Sequence, residues 1–373
     1  MSQFPRIYLS APHLTGSEQE FLTEALQSNW IAPVGPELKA FEQALCDYTG
    51  AAQVLALHSG TAALHLALRL AGVKAGDEVI CPTLTFVATA NALLYLGARP
   101  IWIDSEAQTG NICPERLADC LKMRQAQNRL PKAMMVVHLY GQPAQMSIIR
   151  ELARQYELKI IEDAAEALGS FYQQEAAGTL GQWGIFSFNG NKIITTSAGG
   201  ALLCHHKEER EKALYWATQA KDPAPHYQHS EMGYNYRMSN LLAALGRAQL
   251  LGLEEKVQKR RAIFAFYQQH LADFSLGFFS ETPHTRTNRW LSVVLAQNEA
   301  QREQMRQALE AHNIESRPVW KPMHLQPLFA HIAPPSGHVA EDLFARGLCL
   351  PSGSGLGEEE LFRILTVLRQ VMG

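Results

Sequence analysis

The chain has 373 residues, 47% of them hydrophobic and 18% charged, enough apolar material for a sizeable core and well outside the disordered range. A formal net charge of -3 with no basic run argues against nucleic acid as the main partner. The six cysteines (46, 81, 113, 120, 204 and 349) form no CxxC pair, so they read as thiols of a reducing compartment, and the cytoplasm is the expected location. No apolar segment of the kind a secretory leader needs follows Met1–Arg6. The run Ala62–Leu70, broken by His65 and Arg69, is too short to span a bilayer, and no membrane partner is expected.

Residues 15–28 read as an amphipathic helix with a hydroxyl cap and acids in its first turn. Asn29–Pro36, with its prolines and glycine, is a loop leading into a helix over Pro36–Tyr48. From Gln53 short strands and helices alternate. Strands are predicted at Val54–Leu57, Glu78–Cys81, Arg99–Asp104, Ala133–Leu139 and Lys159–Glu162. Helices are predicted at Thr61–Ala71, Thr85–Leu96, Pro114–Gln127 and Gln145–Tyr156. Such βαβ units predict an α/β fold with a mainly parallel sheet covered by helices, whose ligand loops follow the carboxyl ends of the strands. Two further buried strands, Gly184–Phe188 and Ala201–Cys204, bracket a polar turn. A helix to about Ala220, an irregular Lys221–Arg237 and a long helix over Asn240–Gln269 come next. A smaller α+β domain follows, with strands near Trp290–Leu295 and Leu348–Pro351 and helices near Ala300–His312 and Glu358–Met372. The expected division is a large domain over 1–239 and a smaller one over 240–373.

The polar turn carries Lys192. A loop lysine is ordinarily a solvated charge, but this one lies between two core strands, where desolvation can make an amine nucleophilic. His58-Ser59-Gly60-Thr61 joins a strand to a helix, and is either an ordinary N-cap or an anion cradle suited to phosphate. The strand Ile160–Glu162 ends in Asp163, with Glu166 just beyond. No His/Cys cluster joins them at ligand spacing, so no metal is expected. An anion cradle, an acid for a cationic nitrogen and an amine for an aldehyde are together what pyridoxal phosphate requires. Phe86, after the Glu78–Cys81 strand, is either a core aromatic or a cover for the cofactor ring.

In this order and spacing, Ser59-Gly-Thr-Ala-Ala-Leu, Pro82-Thr-Leu-Thr-Phe86, Glu162-Asp-Ala-Ala-Glu166, Phe186-Ser-Phe-Asn-Gly-Asn-Lys192, Gly233-Tyr-Asn-Tyr-Arg-Met-Ser-Asn240 and Arg317–Pro327 resemble the DegT/StrS family of nucleotide-sugar aminotransferases. The resemblance implies the fold-type I architecture of pyridoxal-phosphate transferases. It implies that Lys192 bonds covalently to the cofactor's aldehyde and that Asp163 pairs with its ring nitrogen. Phe86 would stack on the ring, and Gly60, Thr61 and Ser187 would hold the phosphate. Asn235 would reach the phosphate in a neighbouring subunit, so a homodimer with shared sites is implied. Position 166, often glutamine or histidine in the family, would contact the ring hydroxyl; here it is Glu166. Family dehydratases carry histidine in place of the lysine, so Lys192 points to transamination.

The stretches Trp320–Gln326 and Cys349–Ser354 are most similar to the branch that aminates C4 of UDP-linked 2-acetamido-4-keto-6-deoxy sugars, the bacillosamine type of surface-glycan pathway. The implied partners are a nucleotide-linked keto sugar and glutamate. Asn29, Trp30, Ile31, Ala32, Ser59, Met323, His324, Leu325 and Gln326 are the expected sugar contacts. A C3-keto or a GDP- or dTDP-linked sugar is the alternative substrate. A cofactor-sensing regulatory protein is the alternative of another class, disfavoured because no DNA-binding helix pair or basic arm is visible.

Overall fold

The computed structural model describes residues 4–372; residues 1–3, where the leader was sought, and residue 373 lie outside the described residues. Strands β1 (Gln53–Leu57), β2 (Glu78–Pro82), β3 (Arg99–Ile103), β4 (Ala133–Val137) and β5 (Ile160–Asp163) lie close to their predicted positions. A two-residue pair, β6 (Phe171–Tyr172) and β7 (Glu175–Ala176), precedes β8 (Trp183–Ser187) and β9 (Gly200–Cys204). The main sheet has the order β1-β9-β8-β5-β4-β2-β3. Its strands β8, β5, β4, β2 and β3 pair in parallel, while β9 runs antiparallel to both β8 and β1.

Helices α2 (Pro36–Thr49), α3 (Gly60–Leu70) and α4 (Val87–Tyr95) pack on this sheet, while α1 (Glu18–Gln27) packs on the helix Asn240–Leu251. Because both faces are covered, the central strands are apolar without alternation, and β4 is buried at every position. One core contains Leu57, Leu66, Trp102 and Ile185, and another contains Leu38, Phe41, Phe186 and Phe188.

The reversal at β9 has a simple cause. No helix separates it from β8, and a chain that returns without a crossover can pair only antiparallel. The return runs through residues 188–199 and is closed by bonds of 2.9 Å from Phe188 N to Gly199 O and from Thr196 N to Phe188 O. Lys192 sits in this loop.

One expected helix is corrected. Asn240–Gln269 breaks at Gly252 into Asn240–Leu251 and Leu253–His270, because glycine is a poor helix former and the side chain of Thr15 fills the space a Cβ would need there.

Beyond these helices lie β10 (Gly277–Phe278), β11 (Thr285–Arg286), β12 (Ser292–Leu295), β13 (Arg317–Pro318) and β14 (Gly347–Leu350). A second, antiparallel sheet has the order β10-β12-β14-β13, and β11 joins β6 and β7. The core beside the second sheet includes Tyr267, Val294, Met305, Leu348 and Ile364. Ile7 packs into it and forms a parallel bridge with Ile314, so the start of the chain is built into its C-terminal part. No helix among the described residues is long and apolar enough to cross a membrane.

Candidate active site

The carboxyl ends of β1, β2, β5 and β8 open into one cavity of about 730 Å³, walled on its other side by Trp290, Val319 and Trp320. Ser59, Gly60, Thr61, Phe86, Asp163, Glu166, Ser187 and Lys192 all line it, although they span residues 59–192 of the sequence.

Helix α3 starts at Gly60 on the N-cap Ser59, whose hydroxyl accepts a bond from Ala62 N at 3.1 Å. Ser59 is thus an N-cap and a cavity residue at once. First-turn amides of a helix lack intrahelical carbonyl partners and, with the helix dipole, favour an anion. Ser187 closes the other side: a Cβ on Gly60 would lie 3.1 Å from Ser187 Cβ, and one on Gly200 would fall onto Gly60 N. Only glycines let β8, β9 and α3 approach closely enough to leave a cradle of amides and hydroxyls.

Asp163 ends β5 and is buried. Burial pushes its carboxyl above the usual range, opposed by Thr89, whose hydroxyl donates to Oδ2 at 2.6 Å, by Ala165 N and by the Lys192 charge. Behind it, His138 and Glu162 form a fully buried pair at 2.7 Å. Glu162 also accepts from the amides of Gly178, Leu180 and Gly181, which makes it a structural anchor.

The Lys192 side chain is 11% exposed, so the loop lysine is turned inward. Its Nζ lies 3.5 Å from Glu166 Oε1 and 4.3 Å from the centre of the Trp290 ring. Burial pushes the Glu166 carboxyl up to about 7, opposed by Lys192 and by the Tyr140 amide, which donates to Oε2 at 2.7 Å. Tyr140 holds a left-handed conformation (φ 53°), unusual for a bulky residue, and its hydroxyl accepts from Trp320 N at 3.1 Å. It therefore ties Glu166 to the opposite wall. Phe86 stands at the mouth, 54% exposed, its ring 5.5 Å from that of Trp320.

Other expected contacts lie elsewhere. Asn235 is exposed outside the cavity and bridges Thr218, in a segment whose neighbour Tyr236 accepts from His58 N. Asn29, Trp30, Ile31 and Ala32 form an exposed loop that does not reach the cavity. Met323 is 2% exposed and packs in the main core, so it cannot wall a sugar within this chain. His324 has both ring nitrogens engaged, by the Thr83 hydroxyl at 2.6 Å and Glu341 at 3.1 Å, and it too lies off the cavity. Leu325 and Gln326 follow it on the outer side of this turn, also off the cavity. The residues that replace them on the wall, Glu315, Arg317, Trp320 and Lys321, lie just upstream.

Sequence reading missed Thr89, Tyr140 and Trp290. Thr89 carries a faint signal, a hydroxyl one turn into a helix after a strand. The two aromatics are indistinguishable from core residues until the fold brings them to Glu166 and Lys192.

The donor set fits pyridoxal phosphate: a glycine-made amide and hydroxyl cradle for phosphate, a buried carboxylate for the ring nitrogen and an enclosed amine for the aldehyde. Comparison with known proteins agrees. EpsN of Bacillus subtilis (strain 168), provisionally named a pyridoxal phosphate-dependent aminotransferase, is 49% identical over 97% of this chain and 95% of its own. The GDP-perosamine synthase of Caulobacter vibrioides is 40% identical over the full length of both. The crystal structure of the aminotransferase TlmJ from Streptoalloteichus hindustanus superposes with a TM-score of 0.91 at 28% identity, covering 98% of each chain. Residues 12–369 match the DegT/DnrJ/EryC1/StrS aminotransferase family, and the chain belongs to this family of pyridoxal-phosphate sugar aminotransferases.

Proposed function

We propose that the chain transfers an amino group from glutamate to the C4 keto group of a UDP-linked 2-acetamido-4-keto-6-deoxy sugar, in a bacillosamine-type step of surface-glycan synthesis. The observation that carries the aminotransferase chemistry is the enclosure of Lys192 with Glu166 and Asp163 at one strand edge. The UDP-C4 choice is supported by the similarity of Trp320–Gln326 and Cys349–Ser354 to that branch. A GDP-linked sugar is the second reading, favoured by the 40% identity to a GDP-perosamine synthase.

Bound pyridoxal phosphate supplies an electron sink and carries the amino group between donor and acceptor. In our reading Lys192 forms the covalent link and later moves protons: its Nζ takes the α-proton of the donor and gives a proton back. Asp163 would hold the proton on the ring nitrogen, with Thr89 orienting the carboxylate. Glu166 would face the ring hydroxyl, where a group pushed up to about 7 can share a proton. Gly60, Thr61 and Ser187 would bind the phosphate and Phe86 would cover the ring. Ser59, Arg317 and Lys321 line the cavity and would meet the sugar nucleotide; Arg317 is paired with Glu315 at 2.8 Å, an ion pair that a diphosphate would have to displace.

The working unit we propose is a homodimer in which Asn235 of the partner subunit completes the phosphate site. This is supported by the exposure of Asn235, next to Tyr236 whose carbonyl accepts from His58 N, and by the exposed apolar residues Trp30, Ile31, Val34 and Tyr95. Asn29–Ala32 would belong to that interface. Residues 1–239 would form the cofactor domain and 240–373 the smaller domain against it. The free state of all six cysteines supports work in the cytoplasm.

The test is to incubate the purified protein with pyridoxal phosphate, glutamate and each keto-sugar nucleotide, reading product by mass. Amination of the UDP-4-keto sugar is expected. Amination of only the GDP-linked sugar would replace our reading with the second one.

A further inference from the structure

Trp290 is 3% exposed, and its ring faces the Lys192 ammonium at 4.3 Å. We propose that Trp290 is a catalytic residue: its ring face holds Lys192 as an ammonium while the lysine carries the proton between its two transfers. The inference rests on Lys192 being the cofactor lysine.

The ring is fixed relative to the lysine through one atom, the carbonyl oxygen of the neighbouring Asn191. Trp290 Nε1 donates to it at 2.8 Å, and Ser10 Oγ donates to it at 2.7 Å. Arg260, fully buried, donates to the Trp290 carbonyl and, at 3.0 Å, to Ser10 Oγ, so one guanidinium braces both arms. Asn288 Oδ1 accepts from Trp290 N at 2.9 Å, and the Tyr140 ring stacks alongside at 6.2 Å. A tryptophan whose backbone and indole nitrogen are all engaged presents its π-face in one orientation.

That face suits the proton's path. When Lys192 takes the donor's α-proton, a C–H bond breaks and an N–H bond forms with the amine's lone pair. With the cofactor bound, the carbon's electron pair would pass into its electron sink, leaving an ammonium on a side chain only 11% exposed. The same ammonium would then give one proton to the cofactor's former aldehyde carbon and be an amine again. A buried ammonium without a partner is costly, and Glu166 is only a part-time anion near neutral pH. An indole face attracts a cation regardless of pH.

Trp290→Phe keeps a ring face but loses the bond to Asn191; Trp290→Leu loses both. Proton transfer is measured in the holoenzyme by mixing with glutamate or α-deuterated glutamate and following the loss of the visible band. Trp290→Leu is expected to slow this step about tenfold and enlarge the isotope effect, with Trp290→Phe within about threefold of the parent. Independently of turnover, Lys192 in cofactor-free protein is labelled with trinitrobenzenesulfonate, using Lys192→Ala for background. The ratio of the rate at pH 8 to the high-pH plateau cancels access, and it should rise several-fold in Trp290→Leu but not in Trp290→Phe. Trp290→Met, longer, more flexible and also ring-free, serves if the leucine variant fails to fold. Equal losses in the Phe and ring-free variants would reduce Trp290 to an anchor for Asn191. No loss in the ring-free variant, with Lys192→Ala colourless, would overturn the inference alone. A visible band surviving in Lys192→Ala would overturn the lysine assignment with it.

Discussion

Thr89 Oγ1 donates to Asp163 Oδ2 at 2.6 Å, and Thr85 Oγ1 backs it at 2.7 Å, so a buried carboxylate meets a chain of two buried hydroxyls from the start of α4. Burial alone pushes Asp163 toward its neutral form, and the Thr89 bond is one of the few contacts holding it charged. Thr89→Val keeps the shape and removes the donor. A hydrogen bond to a charged group is worth about 1.5–3 kcal/mol, so the acid limb of the pH–rate profile should move up by about one pH unit or more. Thr89→Ser should restore it. An unmoved limb in Thr89→Val would show that the hydroxyl does not tune Asp163.

Glu166 gives a stability prediction for the cofactor-free protein. Its folded value is about 7 against an ordinary 4.5, so the native state keeps a proton that the unfolded chain has already lost across that window. Stability therefore falls as pH rises from about 4.5 to 7, and the full penalty is present above it. Glu166→Gln, which still accepts from the Tyr140 amide, should leave stability at pH 4 nearly unchanged and raise it at pH 8 by roughly 3 kcal/mol. Urea denaturation of both proteins at the two pH values checks the sign and the size. Equal stabilities at pH 8 would rule out the raised carboxyl.

Gly200→Ala should sharply weaken cofactor binding while the chain keeps its α/β architecture. The added methyl would fall onto Gly60 N and the Ser59 carbonyl group, forcing β9 away from the head of α3 and opening the cradle. Absorbance titration with pyridoxal phosphate should give an affinity at least about a hundredfold weaker, corresponding to about 3 kcal/mol. Circular dichroism should keep the parent's α/β spectrum. Undiminished affinity would mean that the phosphate lies elsewhere.

Shared sites predict complementation between dead variants. Lys192→Ala lacks the amine and Asn235→Trp blocks the neighbouring phosphate site. A mixed dimer of the two would contain one intact site, with Lys192 from one subunit and Asn235 from the other. Refolding an equal mixture should then recover about a quarter of parent activity, because half the dimers are mixed and half their sites are whole. No recovery would show that Asn235 serves its own chain, and an active Asn235→Trp variant would show that it serves neither.

Much of the site was legible in the sequence because its parts lie at strand ends, where short continuous apolar runs mark both the strand and the edge it points to. Ser59, Gly60, Thr61, Asp163, Ser187 and Lys192 each follow such a run, and all line one cavity. The length of an apolar run and the 3.6-residue period of the helices carry that information locally, without any knowledge of what packs across the sheet. Family motifs then sharpened the individual roles.

What the tertiary structure decided is which distant groups meet these edges. Met323 and His324 resemble substrate contacts in a motif, yet Met323 is buried and Thr83 and Glu341 take up both nitrogens of the histidine. Trp290 looks like any strand-flanking aromatic, yet its ring lies against Lys192. Two-residue strands such as β6 and β13 are too short to register as apolar runs, and the close approach of Thr15 to Gly252, where the long helix breaks, is visible only in the fold. Periodicity reports which face of an element is buried, but the partner that buries it belongs to the whole fold. Thus the sequence determined the α/β scaffold and the cofactor edge. Packing across nearly a hundred residues, from Lys192 to Trp290, decided what surrounds the amine.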